Sequence, residues 1–593
     1  MTAAEPEFLG VGCSFSGKSW RPRLAEDRLG LTLAQRLSLP EIVGRALAAR
    51  GIGADDAEAY LNPTLRELLP DPSHLKDMDT AARRIARAVT GGENIAIFGD
   101  YDVDGATSSA LLKRFLGAVG AEATVYIPDR IREGYGPNEA ALLALHDQGA
   151  KVVITVDCGI TAFEPLAAAR RAGLDVIVID HHVAEPQLPE ALAVVDPNRL
   201  DESSPHRQLA AVGVTYLLVV AVNRELRRTG WYGDGSGRAE PDLLGWLDLV
   251  ALGTVCDMVK LTGVNRALVA QGLKVMAQRR NPGLAALGDV ARLDAPPDAW
   301  HLGFLLGPRV NAGGRVGEAD LGVRLLTTAD GAEAARLAQR LDDHNAERRE
   351  IEARVFEDAM AQAAETDTAA LVFVAAQGWH PGVIGIVASR LGQHFARPAC
   401  VVALDADVGK GSGRSVAGVD LGAAVIAARQ AGHLVNGGGH VMAAGFTVAR
   451  DRLDGLREFL TARIAQELAQ SGYTPTLMVD GALSPKAANT ELVDIIGRLA
   501  PFGIGNPEPR FAFPRIRVVK ADIVGENHVR CIIAGEDGGR LKAIAFRAAG
   551  TALGDGLLHG KGMALHVAGH LRRDDWMGRN GVQLVVDDGA PAA

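Results

Sequence analysis

Seven residues with carboxylate or imidazole side chains lie in three short segments of the chain. They are Asp100, Asp102 and Asp104, then Asp157, and then Asp180, His181 and His182. Carboxylate oxygens with a few imidazole nitrogens, in the absence of thiolate clusters, favour Mn²⁺ or Mg²⁺ over zinc. Two such ions about 3.5–4 Å apart can hold the attacking and leaving oxygens of a phosphoryl displacement. These residue types therefore predict divalent-metal chemistry on a phosphate ester.

Each of the three segments directly follows an apolar run that is typical of a buried strand. The runs are Ile95–Phe98, Val152–Val156 and Val176–Ile179. Helical stretches separate them, and this alternation predicts βαβ units and a parallel sheet, whose ligands bind at the carboxyl ends of the strands. Folding is therefore expected to gather up to five carboxylates and two imidazoles at one edge. Gly105 would allow a tight turn there, and Thr107 and Ser108 would open the next helix.

The alternative to a metal site is a structural role for each of these residues. A single Asp at a strand end is more often a helix cap or a turn residue than a ligand. Carboxylates a few ångströms apart repel one another, however, and a bound cation is the natural compensation. The joint occurrence at three strand ends favours the metal site.

The motifs carry a family resemblance. Asp180-His181-His182 after an apolar strand is the signature for which the DHH phosphoesterases are named. Within that superfamily the chain resembles the RecJ exonucleases over nearly its whole length, with the motifs in the same order. The matching stretches are GDYDVDGATSS at 99–109, TVDCGI at 155–160, ALGTVCDMVKL at 251–261 and GPRVNAGGR at 307–315. Cys256 departs from the more usual Ala, and Gly313-Gly314 from Ala-Gly or Ser-Gly, but neither change removes a ligand.

The resemblance implies roles for individual residues. The implied metal ligands are Asp102, Asp104, Asp157, His181 and Asp257. They would hold one or two ions of Mn²⁺ or Mg²⁺, with Asp157 as the bridge between two. His182 would be a catalytic residue facing the scissile phosphate, and Asp100 would act beside it or orient a ligand. Other DHH families have a histidine at the place of Phe98, so the first metal would be held more weakly here.

Glycine-rich stretches mark the second half of the chain, at Gly378–Gly385, Gly409–Ser415 and Gly437–His440. Loops of this composition let backbone N–H groups approach an anion closely. A single glycine-rich loop is usually only a turn, but three in one α/β region resemble the DHH-associated domain that binds substrate. The candidate substrate contacts are Arg309, Asn311, Arg315, His380, Lys410, Arg414, Ser415, Gly437, Gly438, Gly439 and His440.

Five β-rich runs separated by glycine-containing turns follow Pro475, and they predict a small barrel of the OB-fold type. The stretch Pro501–Pro509 resembles the entry to the RecJ OB-fold domain. From Pro509 to Arg547 there are eight Lys or Arg residues against four Asp or Glu. A basic groove on an OB-fold commonly binds single strands, and the alternative is a solvated barrel surface.

These patterns predict an α/β multidomain protein in five parts. The parts are an N-terminal segment (1–75), a parallel-sheet DHH domain with a helical second part (76–328), a long connector helix (329–366), an α/β DHH-associated (DHHA1) domain (367–466) and an OB-fold-like barrel (475–590). The net charge of −10 excludes a uniformly basic coat for nucleic acid. Local basic patches or metal ions must therefore hold any DNA.

Cysteine usage and hydropathy bear on the compartment. The five cysteines are scattered without a CxxC pair, which is typical of a reduced, cytoplasmic protein without a disulfide framework. No apolar run approaches the ~18 residues that cross a membrane, and the N-terminus lacks the pattern of a signal peptide. A cytoplasmic protein without membrane contact is therefore expected.

The resemblance implies a 5′-to-3′ exonuclease that is specific for single-stranded DNA, releases 5′-mononucleotides and acts in DNA repair and recombination. It also implies a single-strand-binding protein and a RecQ-type helicase as partners. Two alternatives are a DHH phosphoesterase for small molecules or oligonucleotides, and a non-catalytic replication scaffold. The added β-rich domain argues against the first alternative, and the intact acidic and histidine positions argue against the second.

Overall fold

The computed structural model describes residues 6–24, 26–130, 132–233, 235–365, 370–471, 473–560, 562–574 and 581–592. The chain divides into two compact units. The first unit comprises Met1–Asn311, Ala319–Ala338 and Thr476–Ala593, and the second comprises Ala312–Glu318 and Gln339–Pro475. Among the described residues, every helix is too short or too polar to cross a membrane.

The N-terminal segment of the first unit forms one short strand and four helices. They are β1 (Ser19–Pro22), α1 (Arg28–Leu37), α2 (Glu41–Ala48), α3 (Ala57–Leu61) and α4 (Leu65–Leu68). Helices α1 and α2 approach closely because each has a glycine at the crossing. A Cβ atom on Gly44 would lie 2.3 Å from the carbonyl oxygen of Gly30.

A five-stranded parallel sheet follows, and it confirms the predicted α/β fold. Its strands are β2 (Ile95–Gly99), β3 (Ala123–Tyr126), β4 (Val152–Val156), β5 (Asp175–Ile179) and β6 (Ala193–Val195), in the order β3-β2-β4-β5-β6. The helices are α5 (Met78–Gly91), α6 (Val103–Ala118), α7 (Glu139–Asp147) and α8 (Phe163–Arg171). Every residue of β2 and β4 is buried, which explains why these strands are continuous apolar runs rather than alternating ones.

The second part of this domain is helical, and some of its helices pack against α6. Its helices are α9 (Ala211–Arg228), α10 (Leu247–Cys256), α11 (Gly263–Met276), α12 (Pro282–Val290), α13 (Gly307–Val316) and α14 (Leu321–Thr327). Helix α10 is apolar on all sides because α6, α9 and α11 surround it. A π-helical turn, His301–Leu306, leads directly into α13.

The long helix predicted from the charged stretch is present as α15 (Gly331–Glu365). Its predicted end at 366, and the start of the following domain at 367, lie outside the described residues. The second unit then forms a sheet of β7 (Val372–Gln377), β8 (Ala399–Asp405), β9 (Val408–Arg414), β10 (Asn436–His440) and β11 (Ala443–Ala449), in the order β10-β11-β9-β8-β7. Its helices are α16 (Ile384–Phe395), α17 (Leu421–Gln430) and α18 (Leu453–Ser471).

The interpretation of the glycine-rich stretches as loops was wrong for two of the three. Gly409–Arg414 lies within β9, and Gly437–His440 lies within β10. The glycines leave room for packing across the sheet, since a Cβ on Gly411 would lie 2.1 Å from the Phe446 ring. Steric crowding rather than a turn therefore accounts for most of these glycines, whereas a Cβ on Gly438 would meet no atom within 4 Å.

The C-terminal region is a closed barrel, as predicted. Its elements are β12 (Thr476–Val479), β13 (Gly481–Ala482), α19 (Thr490–Gly497), β14 (Phe511–Val524), β15 (His528–Ala534), β16 (Arg540–Ala545), α20 (Ala552–His559), β17 (Ala564–Asp574) and β18 (Gly581–Pro591). Strands β14-β15-β16-β18-β17 form the wall, and β17 closes onto β14. The pairing of the third strand with the fifth is parallel. This five-stranded closed wall is the OB-fold architecture.

The N-terminal segment packs into this barrel rather than standing alone. Strand β1 pairs in parallel with β12, so Trp20 lies opposite Leu477. The Trp20 indole is fully buried and donates a hydrogen bond of 3.0 Å to Asp588 Oδ2. Leu33 and Leu47 of α1 and α2 share one apolar core with the barrel strands. The two ends of the chain therefore fold as one body within the first unit.

Candidate metal centre

The carboxyl ends of three adjacent strands carry predicted acidic residues. Gly99 of β2 pairs with Val156 of β4, which pairs with Ile179 of β5. The next residues are Asp100, Asp157 and Asp180, and their backbone N–H groups extend the strand ladder by one residue each. These three acidic residues therefore start from the same edge of the sheet.

Side chains from these strand ends and from α10 form one cluster, here called the acidic cluster. It comprises Asp157, His181 and His182; Asp104, His181 and Asp257; and Asp100, Asp102 and Asp157, with the ligand atoms of each trio within 4.8 Å of one another. Asp157 and His181 each belong to two trios and connect them. His181 Nε2 lies 3.4 Å from Asp157 Oδ1 and 3.6 Å from Asp257 Oδ2. The structure thus brings together all seven of the predicted metal-binding and catalytic residues.

Four buried polar atoms of the acidic cluster have no hydrogen-bond partner among the described residues. They are Asp100 Oδ1, Asp157 Oδ1, His181 Nε2 and Asp257 Oδ2. Native structures leave few buried polar groups unsatisfied because desolvation without a partner is costly. Three carboxylate oxygens and one imidazole nitrogen are the donor set that Mn²⁺ and Mg²⁺ accept. The acidic cluster therefore fits a divalent cation.

The electrostatics of the cluster agree with this fit. Burial, followed by repulsion from Asp102, raises the pKa of Asp104 to about 7. Burial, followed by repulsion from Asp104, raises the pKa of Asp257 to about 9. Burial and neighbouring carboxylates also hold the pKa values of Asp100 and Asp157 well above their usual range. A cation would remove this repulsion and favour the ionised form of all four.

The two histidines have different surroundings. Burial, with a smaller contribution from the charge of His182, lowers the pKa of His181 to about 4, so its imidazole is neutral and available as a ligand. Burial also disfavours a charged His182, but a hydrogen bond from its Nδ1 to Asp180 Oδ1 at 2.7 Å, together with the charges of the surrounding carboxylates, outweighs that penalty. The pKa of His182 is raised to about 9, and the residue is cationic at neutral pH.

Asp102 and Asp104 also have structural roles. Asp102 caps α6, since its Oδ1 accepts from the N–H groups of Asp104 and Gly105. The Asp104 carboxylate accepts from the N–H groups of Ala211 and Val212 at the start of α9, at 2.7 and 2.9 Å. The predicted metal ligands thus also fix α6 and α9 against the sheet edge.

Two local expectations for this segment were wrong. Helix α6 begins at Val103, so Thr107 and Ser108 lie within it rather than opening it. Gly105 is likewise in the first helical turn, where a Cβ would lie 2.4 Å from the carbonyl oxygen of Asp100. Close packing against the strand end, not a tight turn, requires this glycine.

Tyr135 is a residue at the site that the sequence reasoning missed. Its hydroxyl donates to the carbonyl oxygen of Asp157 at 2.9 Å and lies 3.2 Å from His182 Nδ1. Gly134 and Gly136 on either side have positive φ angles of 88° and 80°. This Gly-Tyr-Gly pattern between β3 and α7 is the signal that could have identified it.

The sequence placed Asp180 among the gathered carboxylates without a role of its own, and Asp196 was not singled out. Asp180 is fully buried and accepts from the N–H groups of Ile160, His181 and His182. It therefore holds both histidine backbones in place. Asp196 follows β6 and repeats the strand-end pattern a fourth time, and burial raises its pKa to about 7.

Asp257 reaches the cluster from the C-terminal end of α10. The preceding Cys256 places its thiol 3.4 Å from the carbonyl oxygen of Leu302 in the π-helical turn. Burial raises the pKa of this thiol, so it remains protonated and acts as a packing residue. Cys256, which stands where relatives more usually have Ala, therefore links α10 to the π-helical turn.

The predicted substrate contacts lie in both units. Arg309 and Asn311 lie on α13 in the first unit, and Arg309 Nη1 donates to the carbonyl oxygen of Leu305 at 2.6 Å. In the second unit, Arg315 Nη1 donates to the carbonyl oxygen of Gly382 at 2.9 Å. The Gly382 N–H in turn donates to His380 Nδ1 at 3.1 Å. Arg315 and His380 therefore meet at the loop before α16.

Arg414 lies near the first turn of α16, because a Cβ on Gly385 would be 3.1 Å from Arg414 Nη2. His440 of β10 pairs with Ala443, which pairs with Arg414, so these two basic residues lie across one end of the sheet. Gly437, Gly438 and Gly439 precede His440 on the same strand.

Two other predicted contacts differ from these. Lys410 lies away from that end of the sheet, and Ser415 forms a hydrogen bond within its own loop. Lys410 lies four residues before Arg414 on β9, about 13 Å along an extended strand, and donates to Thr447 Oγ1 at 3.3 Å. The Ser415 hydroxyl donates to the carbonyl oxygen of Val419 at 2.9 Å, so it shapes the loop that follows β9.

The barrel carries basic residues on the outer side of three adjacent strands. Arg517, Arg530, Lys520, Arg540 and Lys542 are exposed there. Lys520 and Lys542 flank Ile532, and Arg517 and Arg540 flank Ala534. Arg530 pairs with Asp522 and Lys542 with Asp574. We call these five residues the basic face.

Comparison with known families identifies three regions. Residues 94–254 match the N-terminal domain of the DHH family, 367–466 match the DHHA1 domain, and 479–588 match the RecJ OB domain. All predicted metal-binding residues except Asp257 lie within the first match.

Curated relatives and solved structures give the same result. The chain is 36% identical over 563 residues to the single-stranded-DNA-specific exonuclease RecJ of Dickeya dadantii, covering 93% of this chain and 96% of the relative. It is 34% identical to the RecJ of Bacillus subtilis, covering 94% and 69% respectively. RecJ of Thermus thermophilus, solved with Mn²⁺, aligns at a TM-score of 0.79 with 30% identity over 95% of this chain and 78% of that chain. The same protein solved with Mg²⁺ aligns at 0.73 with 28% identity over 95% and 76%.

Proposed function

The chain belongs to the RecJ family of DHH phosphoesterases, and from this premise we propose that it is an exonuclease for single-stranded DNA. It removes nucleotides from the 5′ end, releases 5′-mononucleotides and serves DNA repair and recombination. The acidic cluster carries the proposal, because its unsatisfied carboxylate and imidazole atoms fit the divalent ions that relatives bind. The names of the relatives support single-stranded DNA as the substrate.

The chemistry proposed is hydrolysis of a phosphodiester. Asp102, Asp104, Asp157, His181 and Asp257 would hold one or two ions. Mn²⁺ or Mg²⁺ at this position supplies charge neutralisation and activation of water for phosphoryl transfer.

The residues around the cluster orient the reacting phosphate. His182 is cationic at neutral pH and would donate a hydrogen bond to the phosphate oxygen on which negative charge develops. Asp180 fixes the ring of His182, and Tyr135 holds the backbone of Asp157 beside it.

Three groups of residues are proposed to bind the single-stranded DNA. Arg309 and Asn311 follow the π-helical turn, and Arg315, His380 and Arg414 surround the start of α16. Guanidinium groups and helix N-termini are common phosphate contacts. The basic face of the barrel would follow the backbone of a longer strand, since OB-folds bind oligonucleotides on the corresponding strands.

Compartment and partners follow from the same proposal. The five cysteines are all unpaired, which supports a reducing cytoplasm. A single-strand-binding protein and a RecQ-type helicase remain predictions from the family resemblance. The five-part division of the chain also remains a prediction.

Digestion of end-labelled oligonucleotides tests the proposal. With Mn²⁺ or Mg²⁺, a 5′-labelled single strand should release labelled mononucleotide at once, and a 3′-labelled strand should shorten progressively. The matching duplex and an EDTA control should stay intact. Rapid release of label from the 3′ end, or activity confined to dinucleotides, would refute the assignment.

A further inference from the structure

Two aromatic side chains outside the acidic cluster are exposed and stacked on each other. Trp300 is 49% exposed and Phe304 is 72% exposed. Their ring centroids are 6.0 Å apart, and their planes differ by 28°. In the part of the chain that the structure describes, Tyr135 and Phe546 are the other aromatic residues exposed to this degree. Exposed aromatic pairs in soluble proteins mark interaction sites more often than isolated apolar residues do.

A local widening of the helix before Pro308 positions this aromatic pair. Pro308 has no N–H to donate to the carbonyl oxygen of Phe304, and its ring would clash with that carbonyl in a regular α-helix. The helix widens instead into the π-helical turn His301–Leu306, in which the Gly307 N–H reaches back to the carbonyl oxygen of Leu302. Such turns are rare in proteins overall, and those that occur are often found at functional sites.

The π-helical turn contacts α10 at the residue that precedes Asp257. Leu302 and Leu306 are buried on its inner side. The carbonyl oxygen of Leu302 accepts from the Cys256 thiol, and Cys256 is the residue next to Asp257. A Cβ on Gly307 would lie 2.4 Å from the same sulfur. Trp300 and Phe304 at positions i and i+4 therefore share the outer side of a segment that is fixed to α10, the helix that Asp257 directly follows.

We propose that Trp300 and Phe304 form a stacking platform for unpaired bases of the strand that enters the acidic cluster. This inference rests on the proposed function. Every base has a flat face and stacks on an aromatic ring regardless of its identity. Bases in a duplex are already stacked and paired, so the platform selects for an unpaired strand. It therefore adds a specificity contact to a site whose other predicted contacts are with phosphate.

Binding of a normal strand and an abasic strand of equal length separates stacking from charge. We expect the double variant Trp300→Leu and Phe304→Leu, which keeps apolar bulk but removes both rings, to weaken oligo-dT binding by about 5- to 150-fold for each base that no longer stacks. Binding of the abasic strand should not change. Affinity is measured by anisotropy in EDTA, and KM with Mn²⁺ should rise in parallel while kcat changes little.

Two controls complete the experiment. Trp300→Phe with Phe304→Tyr keeps two rings and should retain wild-type affinity. Leu244→Ala removes another exposed apolar side chain of the same unit and should have no effect on either strand. Circular dichroism and thermal melting establish that each variant is folded.

The outcomes distinguish this inference from the proposed function. If the wild-type protein cleaves single strands but the leucine variants bind oligo-dT normally, the platform is wrong and the exonuclease assignment stands. Equal losses of affinity for normal and abasic strands would also overturn it. A wild-type dimer that becomes monomeric in the leucine variants, measured by sedimentation, would show that the rings contact a second copy instead. If the wild-type protein cleaves no strand, the proposed function itself fails.

Discussion

The Nδ1 atom of His182 lies 2.7 Å from the Oδ1 atom of Asp180. Asp180 is fully buried, whereas the His182 side chain is 37% exposed. The pair therefore combines a fixed carboxylate with a histidine that can reach a substrate. Burial opposes a charged imidazole, but this contact and the charges of neighbouring carboxylates together raise the pKa of His182 to about 9.

Removing the charge of Asp180 should change the pH dependence of turnover. Asp180→Asn keeps one acceptor oxygen for the backbone N–H groups of His181 and His182, gives up the contact with the Ile160 N–H, and no longer stabilises the imidazolium. The alkaline limb of the kcat profile should therefore move to lower pH, and an NMR titration of His182 should show a lower pKa. Tyr135→Phe, which removes a neutral contact to the same ring, serves as the control. An alkaline limb that Asp180→Asn leaves unmoved would argue against a cationic His182 in catalysis.

Substitutions of the two neighbouring histidines should have different effects on metal binding and turnover. His181→Ala removes a neutral imidazole whose Nε2 faces Asp157 and Asp257, so metal affinity should fall about 10-fold or more. His182→Ala should lower turnover by about 100-fold or more with metal affinity nearly unchanged. Calorimetric titration with Mn²⁺, alongside kcat, measures both. Equal losses of metal affinity in the two variants would contradict the division of roles.

Metal removal should make stability depend on pH. Asp104 and Asp257 have folded-state pKa values of about 7 and about 9, above the unfolded value of 3.8. Without metal, they contribute stability fully below about pH 4 and lose that contribution as pH rises through 7 and then 9. The Tm in EDTA should therefore fall from pH 6 to 9, and the increase in Tm caused by Mg²⁺ should grow over the same range.

Asp257→Asn is the matched control for this experiment, because it removes the carboxyl group with the higher of the two values. Its Tm in EDTA should fall less steeply above pH 8. A Mg²⁺-induced increase in Tm that is constant from pH 6 to 9 would show that repulsion in the cluster does not limit the stability of the metal-free protein.

The barrel should contribute salt-dependent binding through its basic face. Arg517→Glu, Lys520→Glu and Arg540→Glu together should weaken binding of a long strand and reduce the slope of log K against log salt by about 0.7 for each phosphate that the protein no longer neutralises. Cleavage of very short oligonucleotides should be unchanged. The control is a charge reversal of equal size at three exposed residues of α4, α5 and α6, namely Arg66, Arg87 and Lys113. Equal effects of the two triple variants would mean that net charge, rather than the basic face, governs binding.

Deleting the barrel is a poor test of the same idea. Removal of the residues after Pro475 would strip β12 from β1 and expose the apolar side of α1 and α2 that the barrel covers. We expect such a truncated protein to lose stability unless the N-terminal segment is also removed. Thermal melting of both truncations checks this. Equal Tm values for a C-terminal truncation and the full chain would show that the shared core is unimportant.

The strand-end site could be predicted from the sequence because the information is local. An Asp directly after a buried parallel strand must lie at the carboxyl edge of the sheet, and this held for Asp100, Asp157 and Asp180. The barrel was predictable for a similar reason, since each strand is a separate apolar run between turns. Asp257 came from the family resemblance alone, because nothing in the local pattern of α10 indicates what its last turn faces.

Other features depend on contacts that no local pattern reveals. The pairing of Ser19 with Thr476 joins residues from opposite ends of the chain. The glycines of β9 and β10 resemble loop glycines in composition, but a ring packs where Gly411 would carry a Cβ and backbone atoms pack where Gly439 would. Tyr135 reaches Asp157 from a connection whose conformation is set by the two flanking glycines, so its contact became evident only in three dimensions.

The most direct test of the account is Mn²⁺ binding by Asp157→Asn, measured by calorimetry together with cleavage of a 5′-labelled single strand. Asp157 connects two of the three metal-binding trios, and the substitution keeps its size while removing its charge. We predict a folded protein that has lost most of its affinity for Mn²⁺ and whose cleavage rate has fallen by about 1,000-fold or more. Near-normal Mn²⁺ affinity and cleavage in the folded variant would contradict the assignment of the acidic cluster as the metal centre.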